Sequence, residues 1–131
     1  MERKILKWAE IAQKELNCFQ DINETVELVN IMDNMGMLHI VELSGERGVV
    51  AYTITPDFRG NKICAELFMY IKPEHRNLKA FNEIIHIMEA AGKENSCKFI
   101  CIGANIGYRD DKLLRILSRY GYKTDTVKKE I

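Results

Sequence analysis

Apolar residues near the start of the chain recur at helical spacing. Intervals of three and four place one set on a single helix face: Ile5, Trp8, Ala9, Ala12 and Leu16. A second helical pattern follows, for which Asn23 is the predicted N-cap and Gly36 the predicted stop. The sequence therefore predicts two amphipathic helices before any strand.

The pattern then becomes typical of strands. Runs rich in β-branched and aromatic side chains cover residues 37–43, 49–55 and 62–72, and polar turns separate them. Gly45 and Gly48 give the first turn the backbone freedom of a hairpin. Short turns between successive strands predict an antiparallel meander.

A strand, a helix and another strand come next. Pro73 cannot donate to a sheet ladder and ends the third strand. Helical spacing begins at Asn77 and is predicted to stop at Gly92, and residues 98–104 read as a strand. This order predicts a right-handed crossover between two parallel strands.

The end of the chain predicts one more helix and a short strand. The helix begins at Asp110 or Asp111 and stops at Gly121, and residues 122–127 are a candidate edge strand. A chain of 131 residues favours a single domain over 1–131. We therefore expect an α+β fold with a mixed, mostly antiparallel sheet and helices on both faces.

Charge and composition exclude several functional classes. Nineteen basic residues balance nineteen acidic ones, and the calculated pI is about 6.8. No global field then draws the protein to nucleic acid or to an anionic membrane, and we expect neither as a partner. The charged N-terminus lacks the apolar stretch of a signal peptide, which predicts a cytoplasmic protein.

The cysteines do not form a metal-binding pattern. Cys18, Cys64, Cys97 and Cys101 make no C-x-x-C pair and have no histidine at a zinc-like spacing. Cys97 and Cys101 fall within or next to a predicted strand, which favours buried thiols that pack as small hydrophobes. We expect no metal site.

Glu66 is a candidate general base in the third strand. Strict alternation would place it on one sheet face with Phe68 and Tyr70. A carboxyl group among apolar neighbours has a raised pKa, as a base that works near neutral pH requires. The alternative is a glutamate on a solvent-facing strand surface.

The loop and helix start in "PEHRNLKAF", residues 73–81, form a candidate phosphate site. A helix N-terminus offers unsatisfied N–H donors and a partial positive charge, even without glycine. Arg76 and Lys79 would add charge-assisted contacts. The alternative is that both are solvated helix-start charges and that Phe81 belongs to the core.

The order of elements resembles the GNAT superfamily of acyl-CoA-dependent N-acyltransferases, most clearly over residues 65–122. In that family the loop reads R/Q-x-x-G-x-G/A; Arg76 stands at its first position, while Lys79 and Phe81 replace the small residues. The missing first strand and the altered loop are similar to divergent bacteriophage members. The resemblance implies a three-layer fold and a loop backbone that binds the CoA pyrophosphate through Asn77, Leu78, Lys79 and Ala80.

The resemblance also implies the rest of the site. The parallel strands would splay, and the pantetheine arm of CoA would contact the main chain of Met69, Tyr70 and Ile71, with Asn105 at the border of the cleft. Glu66, preceded by alanine as in some family members, would deprotonate the amine. The tyrosine that protonates the departing thiolate in the family corresponds to Leu117, which cannot donate a proton.

The function implied is transfer of an acetyl group from acetyl-CoA to an amine by direct attack. The acceptor, a small molecule or a protein, is not specified by the sequence. The alternative is an inactive GNAT-fold module that binds or inhibits another protein, because fold does not dictate function. A homodimer that completes the sheet edge is a further expectation.

Overall fold

The computed structural model describes residues 2–103, 110–124, 129 and 131. Its helices are α1 (Glu2–Leu16), α2 (Ile22–Asn34), α3 (Leu78–Glu94) and α4 (Asp110–Arg119). Its strands are β1 (His39–Glu42), β2 (Gly48–Pro56), β3 (Lys62–Ile71) and β4 (Phe99–Cys101). Single 3₁₀ turns lie between β1 and β2 and between β3 and α3.

The sheet has the predicted mixed topology. The strands lie in the order β1-β2-β3-β4. β1, β2 and β3 pair antiparallel, and β3 pairs parallel with β4. The predicted meander and the predicted parallel pair are confirmed.

Helices cover both faces of this sheet and make three layers. On one face, α1 and α2 pack against side chains that alternate along β2 and β3: Val49, Ala51, Phe68 and Tyr70. On the other face, α3 and α4 pack against the intervening side chains: Val50, Tyr52, Cys64 and Met69. Burial of apolar side chains on both faces holds the layers together, and the predicted α+β three-layer fold is confirmed.

The second helix begins earlier than predicted. Asp21, not Asn23, is its N-cap: a carboxylate oxygen of Asp21 accepts from the backbone N–H groups of Asn23 and Glu24, at 2.8 and 3.4 Å. The predicted stop is confirmed, because Gly36 follows the helix with a positive φ of 69°. The carboxylate of Asp21, two residues upstream, therefore occupies the N-cap position that was predicted for the side-chain amide of Asn23.

Gly92 does not end α3, contrary to prediction. The helix continues to Glu94, and Gly92 is buried within it. A Cβ atom at Gly92 would lie 2.2 Å from Cδ1 of Ile100, the second residue of β4. Gly92 therefore leaves room for the end of the Ile100 side chain between helix and strand.

The fourth strand is shorter than predicted. It covers Phe99–Cys101, and Ala104 lies outside the described residues. Cys101 is exposed and Cys97 is half-buried, so the buried-thiol interpretation is wrong for Cys101. Residues 122–124 form no strand, and residues 125–127 of the predicted edge strand lie outside the described part of the chain.

The described ranges contain neither a membrane-spanning helix nor a cluster of metal-binding side chains. No helix there combines the length and the apolar character that a membrane span requires. The same residues contain no group of three or more histidine, cysteine, aspartate or glutamate side chains placed to hold a metal ion.

The two glycines of the first hairpin have different roles. Gly45 has a positive φ of 66°, as the turn requires, whereas Gly48 does not have a positive φ. A Cβ atom at Gly48 would instead lie 2.4 Å from the carbonyl oxygen of Tyr70 on the neighbouring strand. Gly48 is needed for space between backbones.

We predict that Gly48→Ala destabilises the protein more than Gly92→Ala. At Gly48 the clash is with backbone, which can move only by disturbing the β2–β3 ladder, so we expect a loss of about 1–3 kcal/mol in the free energy of unfolding. At Gly92 the clash is with the end of the flexible Ile100 side chain, and alanine also favours the helix by about 1 kcal/mol. Urea denaturation of both variants measures the difference; equal losses, or a larger loss at Gly92, would contradict this account.

Candidate functional site

A β-bulge in β3 determines where Glu66 points. Ala51 of β2 pairs with Phe68, but the next residue, Tyr52, pairs with Glu66, so Leu67 is an extra residue in β3. Cross-strand partners share a face, which places Glu66 with Tyr52 on the α3 and α4 side. The prediction that Glu66 shares a face with Phe68 and Tyr70 is wrong, because the bulge reverses the alternation between them.

Glu66 lies largely out of solvent, against the end of the neighbouring strand. Its Oε1 accepts from the backbone N–H of Gly103, 3.0 Å away and two residues past the end of β4. Burial raises the pKa of Glu66 from 4.5 to about 7, although the bond from Gly103 acts in the opposite direction. The environment excludes the solvent-facing alternative and gives a carboxyl group that changes charge near neutral pH.

A cleft opens where β3 and β4 separate. β4 pairs with β3 only at residues 63–65, and β3 continues to Ile71 with no strand beside it on that edge among the described residues. The cleft has a volume of about 640 Å³ and lies between β3, the start of α3 and one face of α4. Most of the predicted binding residues line it: Met69, Tyr70, Ile71, Arg76, Asn77 and Leu78.

The remaining predicted residues do not line the cleft. Glu66 precedes the bulge and shares the sheet face of Met69, but it is not part of the lining. Lys79 is exposed and Ala80 is buried, and neither belongs to the lining. Asn105 lies outside the described residues.

The start of α3 carries backbone donors at the edge of this cleft. Asn77 is the N-cap: its Oδ1 accepts from the N–H of Ala80 at 2.9 Å, and its carbonyl accepts from the N–H of Phe81 at 3.2 Å. The N–H groups of Leu78 and Lys79 have no acceptor within the part of the chain that the structure describes. Free N–H groups of this kind and the helix dipole are the features that bind anions at helix N-termini in general, whereas the N–H of Ala80 is already used by the cap.

Phe81 does not obstruct the loop backbone. Its side chain is 6% exposed and packs in the core between α3 and the sheet. The bulky side chain, at a position where the family loop has a small residue, therefore packs away from the loop. The interpretation of Phe81 as a core residue is confirmed.

Arg76 is held by an ion pair that sequence reasoning missed. Its guanidinium group donates to both carboxylate oxygens of Glu15 in α1, and its Nε donates to the carbonyl oxygen of Ile71 at 2.9 Å. The Tyr70 hydroxyl donates to the same carboxylate at 2.6 Å. Hydrogen bonds from Arg76 are the main cause that lowers the pKa of Glu15. No sequence signal relates Glu15 to Arg76, because the two residues belong to separate elements that only the fold brings together.

The α4 wall of the cleft was also not predicted. Lys112, Arg115 and Arg119 line it together with apolar residues of the same helix. Their spacing of three and four residues is a signal that the sequence contained. Leu117, where the resemblance would place a proton-donating tyrosine, is 4% exposed and packs in the core.

The similarity of this chain to known proteins is found in its structure and not in its sequence. No protein-family model matches the sequence, and no curated protein matches it either. A transcriptional regulator from Bacillus halodurans C-125 superposes with a TM-score of 0.78 at 13% identity, covering 100% of this chain and 95% of that one. An acetyltransferase from Trypanosoma brucei superposes with a TM-score of 0.71 at 11% identity, covering 100% and 94%.

A third solved structure contains the proposed cosubstrate. It is a predicted acetyltransferase with acetyl-CoA from Clostridium acetobutylicum, with a TM-score of 0.65 at 16% identity, and the match covers 99% of this chain and 86% of that chain. These likenesses confirm the predicted GNAT-like fold. The closer similarity to bacteriophage members stays a prediction.

We predict that Glu66 makes stability depend on pH. Its folded-state pKa of about 7 is above its ordinary value of 4.5, so the folded protein binds the proton more tightly than the unfolded chain does. The free energy of unfolding should therefore fall as the pH rises from about 4.5 to 7, by at most about 3 kcal/mol.

Glu66→Gln removes this titration and keeps an oxygen that can accept from Gly103. Urea denaturation of both proteins at pH 5 and pH 8 should show the parent losing stability relative to the variant at the higher pH. Parallel pH profiles would mean that the Glu66 carboxyl is not buried as described.

Proposed function

We propose that this chain, which has the fold of the GNAT acetyltransferases, transfers the acetyl group of acetyl-CoA to an amine. One observation carries the proposal: the cleft between the unpaired end of β3 and α4 is bordered by the start of α3, where the N-terminal backbone donors of that helix have no acceptor in the described part of the chain. A phosphate group fits such donors, and an extended chain fits beside an open strand edge.

The residues present suit acetyl-CoA. In this proposal the N–H groups of Leu78 and Lys79 bind the pyrophosphate, and the exposed Lys79 side chain adds positive charge. The main chain of Met69, Tyr70 and Ile71 borders the pantetheine arm. Asn77 acts through its cap, which fixes the direction of the donors.

Glu66 is the proposed general base. The amine nitrogen attacks the carbonyl carbon of the thioester, the C–N bond forms and the C–S bond breaks. The proton released by nitrogen passes to the Glu66 carboxylate, directly or through a water molecule. The sulfur leaves as a thiolate and takes a proton from water, because Leu117 has none to give.

We predict that Glu66→Gln lowers acetyl transfer by about a hundredfold or more without loss of acetyl-CoA binding. Thiol release is measured with a panel of acceptors: spermidine, kanamycin and a lysine-containing peptide. In the parent the rate should rise with pH around a midpoint near 7, because only the ionised carboxyl accepts a proton.

Glu27→Gln, on the exposed surface of α2, is the matched control and should retain the parent rate. Equal rates in Glu66→Gln and the parent would remove Glu66 from the mechanism.

Arg76 is proposed to act by holding the loop. Its guanidinium group ties the loop to Glu15, and its Nε ties it to Ile71. We predict that Arg76→Ala weakens acetyl-CoA binding by about tenfold and that Glu15→Gln weakens it by about two- to fivefold. Isothermal titration measures both affinities. Tighter binding in Glu15→Gln would show instead that Glu15 competes with phosphate for Arg76.

A second candidate function is a non-catalytic module that binds another protein. It is favoured by buried Leu117 at the position of the family's proton donor. Absence of acetyl-CoA binding at millimolar ligand would select this candidate. Saturable binding with turnover of any acceptor would reject it.

A further inference from the structure

Three cations line the α4 wall of the cleft, and the proposed transfer step does not use them. Lys112, Arg115 and Arg119 follow one another at intervals of three and four residues. Seven residues of helix correspond to about 10 Å, so the row extends along the cleft over roughly two turns. The row lies on the helix that faces the start of α3.

The structure leaves most of this positive charge without a counterion. Arg115 pairs with Asp111 at 3.7 Å, and both side chains are more than two-thirds exposed. No carboxylate within the described ranges lies within 4 Å of the Lys112 or Arg119 side-chain nitrogens. Like charges at these spacings destabilise a helix, and a bound anion would relieve that repulsion.

The two walls of the cleft therefore suit two separate anionic groups. The start of α3 offers backbone N–H groups, which suit the pyrophosphate. The three basic residues of α4 offer charged side-chain donors on the other wall of the cleft. CoA carries both a pyrophosphate and a phosphate on the 3′ position of its ribose.

We propose that Lys112 and Arg119, with Arg115 between them, bind the 3′-phosphate of CoA and make the protein selective for CoA over 3′-dephospho-CoA. This inference rests on the proposed function, because it assumes that CoA occupies the cleft. Arginine and lysine give charge-assisted hydrogen bonds to phosphate, and all three side chains are exposed at the cleft.

The test compares CoA and 3′-dephospho-CoA by isothermal titration. In the parent, CoA should bind at least about tenfold more tightly, as expected from one or two hydrogen bonds between charged groups. The variant Lys112→Gln/Arg119→Gln should lose this preference while its affinity for 3′-dephospho-CoA stays unchanged. Arg59→Gln/Lys62→Gln, which removes the same charge from an exposed turn and strand start outside the cleft, should keep the preference.

The outcomes separate this inference from the function on which it rests. Equal affinity of the parent for the two ligands would overturn the role of α4 and leave acetyl transfer standing. The same preference in Lys112→Gln/Arg119→Gln would also overturn it. No binding of either ligand would overturn both. The comparison of ligands on the parent remains decisive even if the variant fails to fold, which circular dichroism would show.

Discussion

The extra residue in β3 is the constraint on which the site depends. Leu67 has no partner of its own in β2, and the strand changes its facing there. Before the bulge, Glu66 faces the α3 and α4 side; after it, Met69 does. The same strand loses its neighbour β4 just before this point. Glu66 and Met69, which lines the cleft, therefore lie on the same side of the sheet. Regular alternation would have placed these two residues on opposite sides.

Side chains order the loop before α3 in place of glycine. Asn77 caps the helix, Phe81 anchors its first turn in the core, and Arg76 fastens the loop to α1 through Glu15. Each contact fixes the backbone without a positive φ or a close approach. The donors of Leu78 and Lys79 remain at the edge of the cleft as a result. The proposed anion site therefore needs no glycine in this loop.

Local charge matters more here than total charge. The chain is neutral overall, yet three basic side chains of α4 line one cleft together with Arg76 of the loop before α3. The only carboxyl group that the proposed chemistry uses, Glu66, lies before the bulge and is kept partly protonated near neutral pH by burial. Basic side chains along the cleft and a proton acceptor on the same side of the sheet are what the proposed transfer from acetyl-CoA to an amine would use.

The sequence by itself determined the helices, the meander, the parallel pair and the loop position, because those depend on hydrophobic periodicity and on proline and glycine. It also indicated the β3 and loop side of the cleft lining, from Met69 to Leu78, but not the α4 wall. Only the tertiary structure decided which face of the sheet carries Glu66. A bulge depends on the register between two strands, and the sequence of one strand does not reveal it. The Glu15–Arg76 pair and the role of Gly92 likewise required the fold, because each joins residues that are distant in the chain and close only after packing.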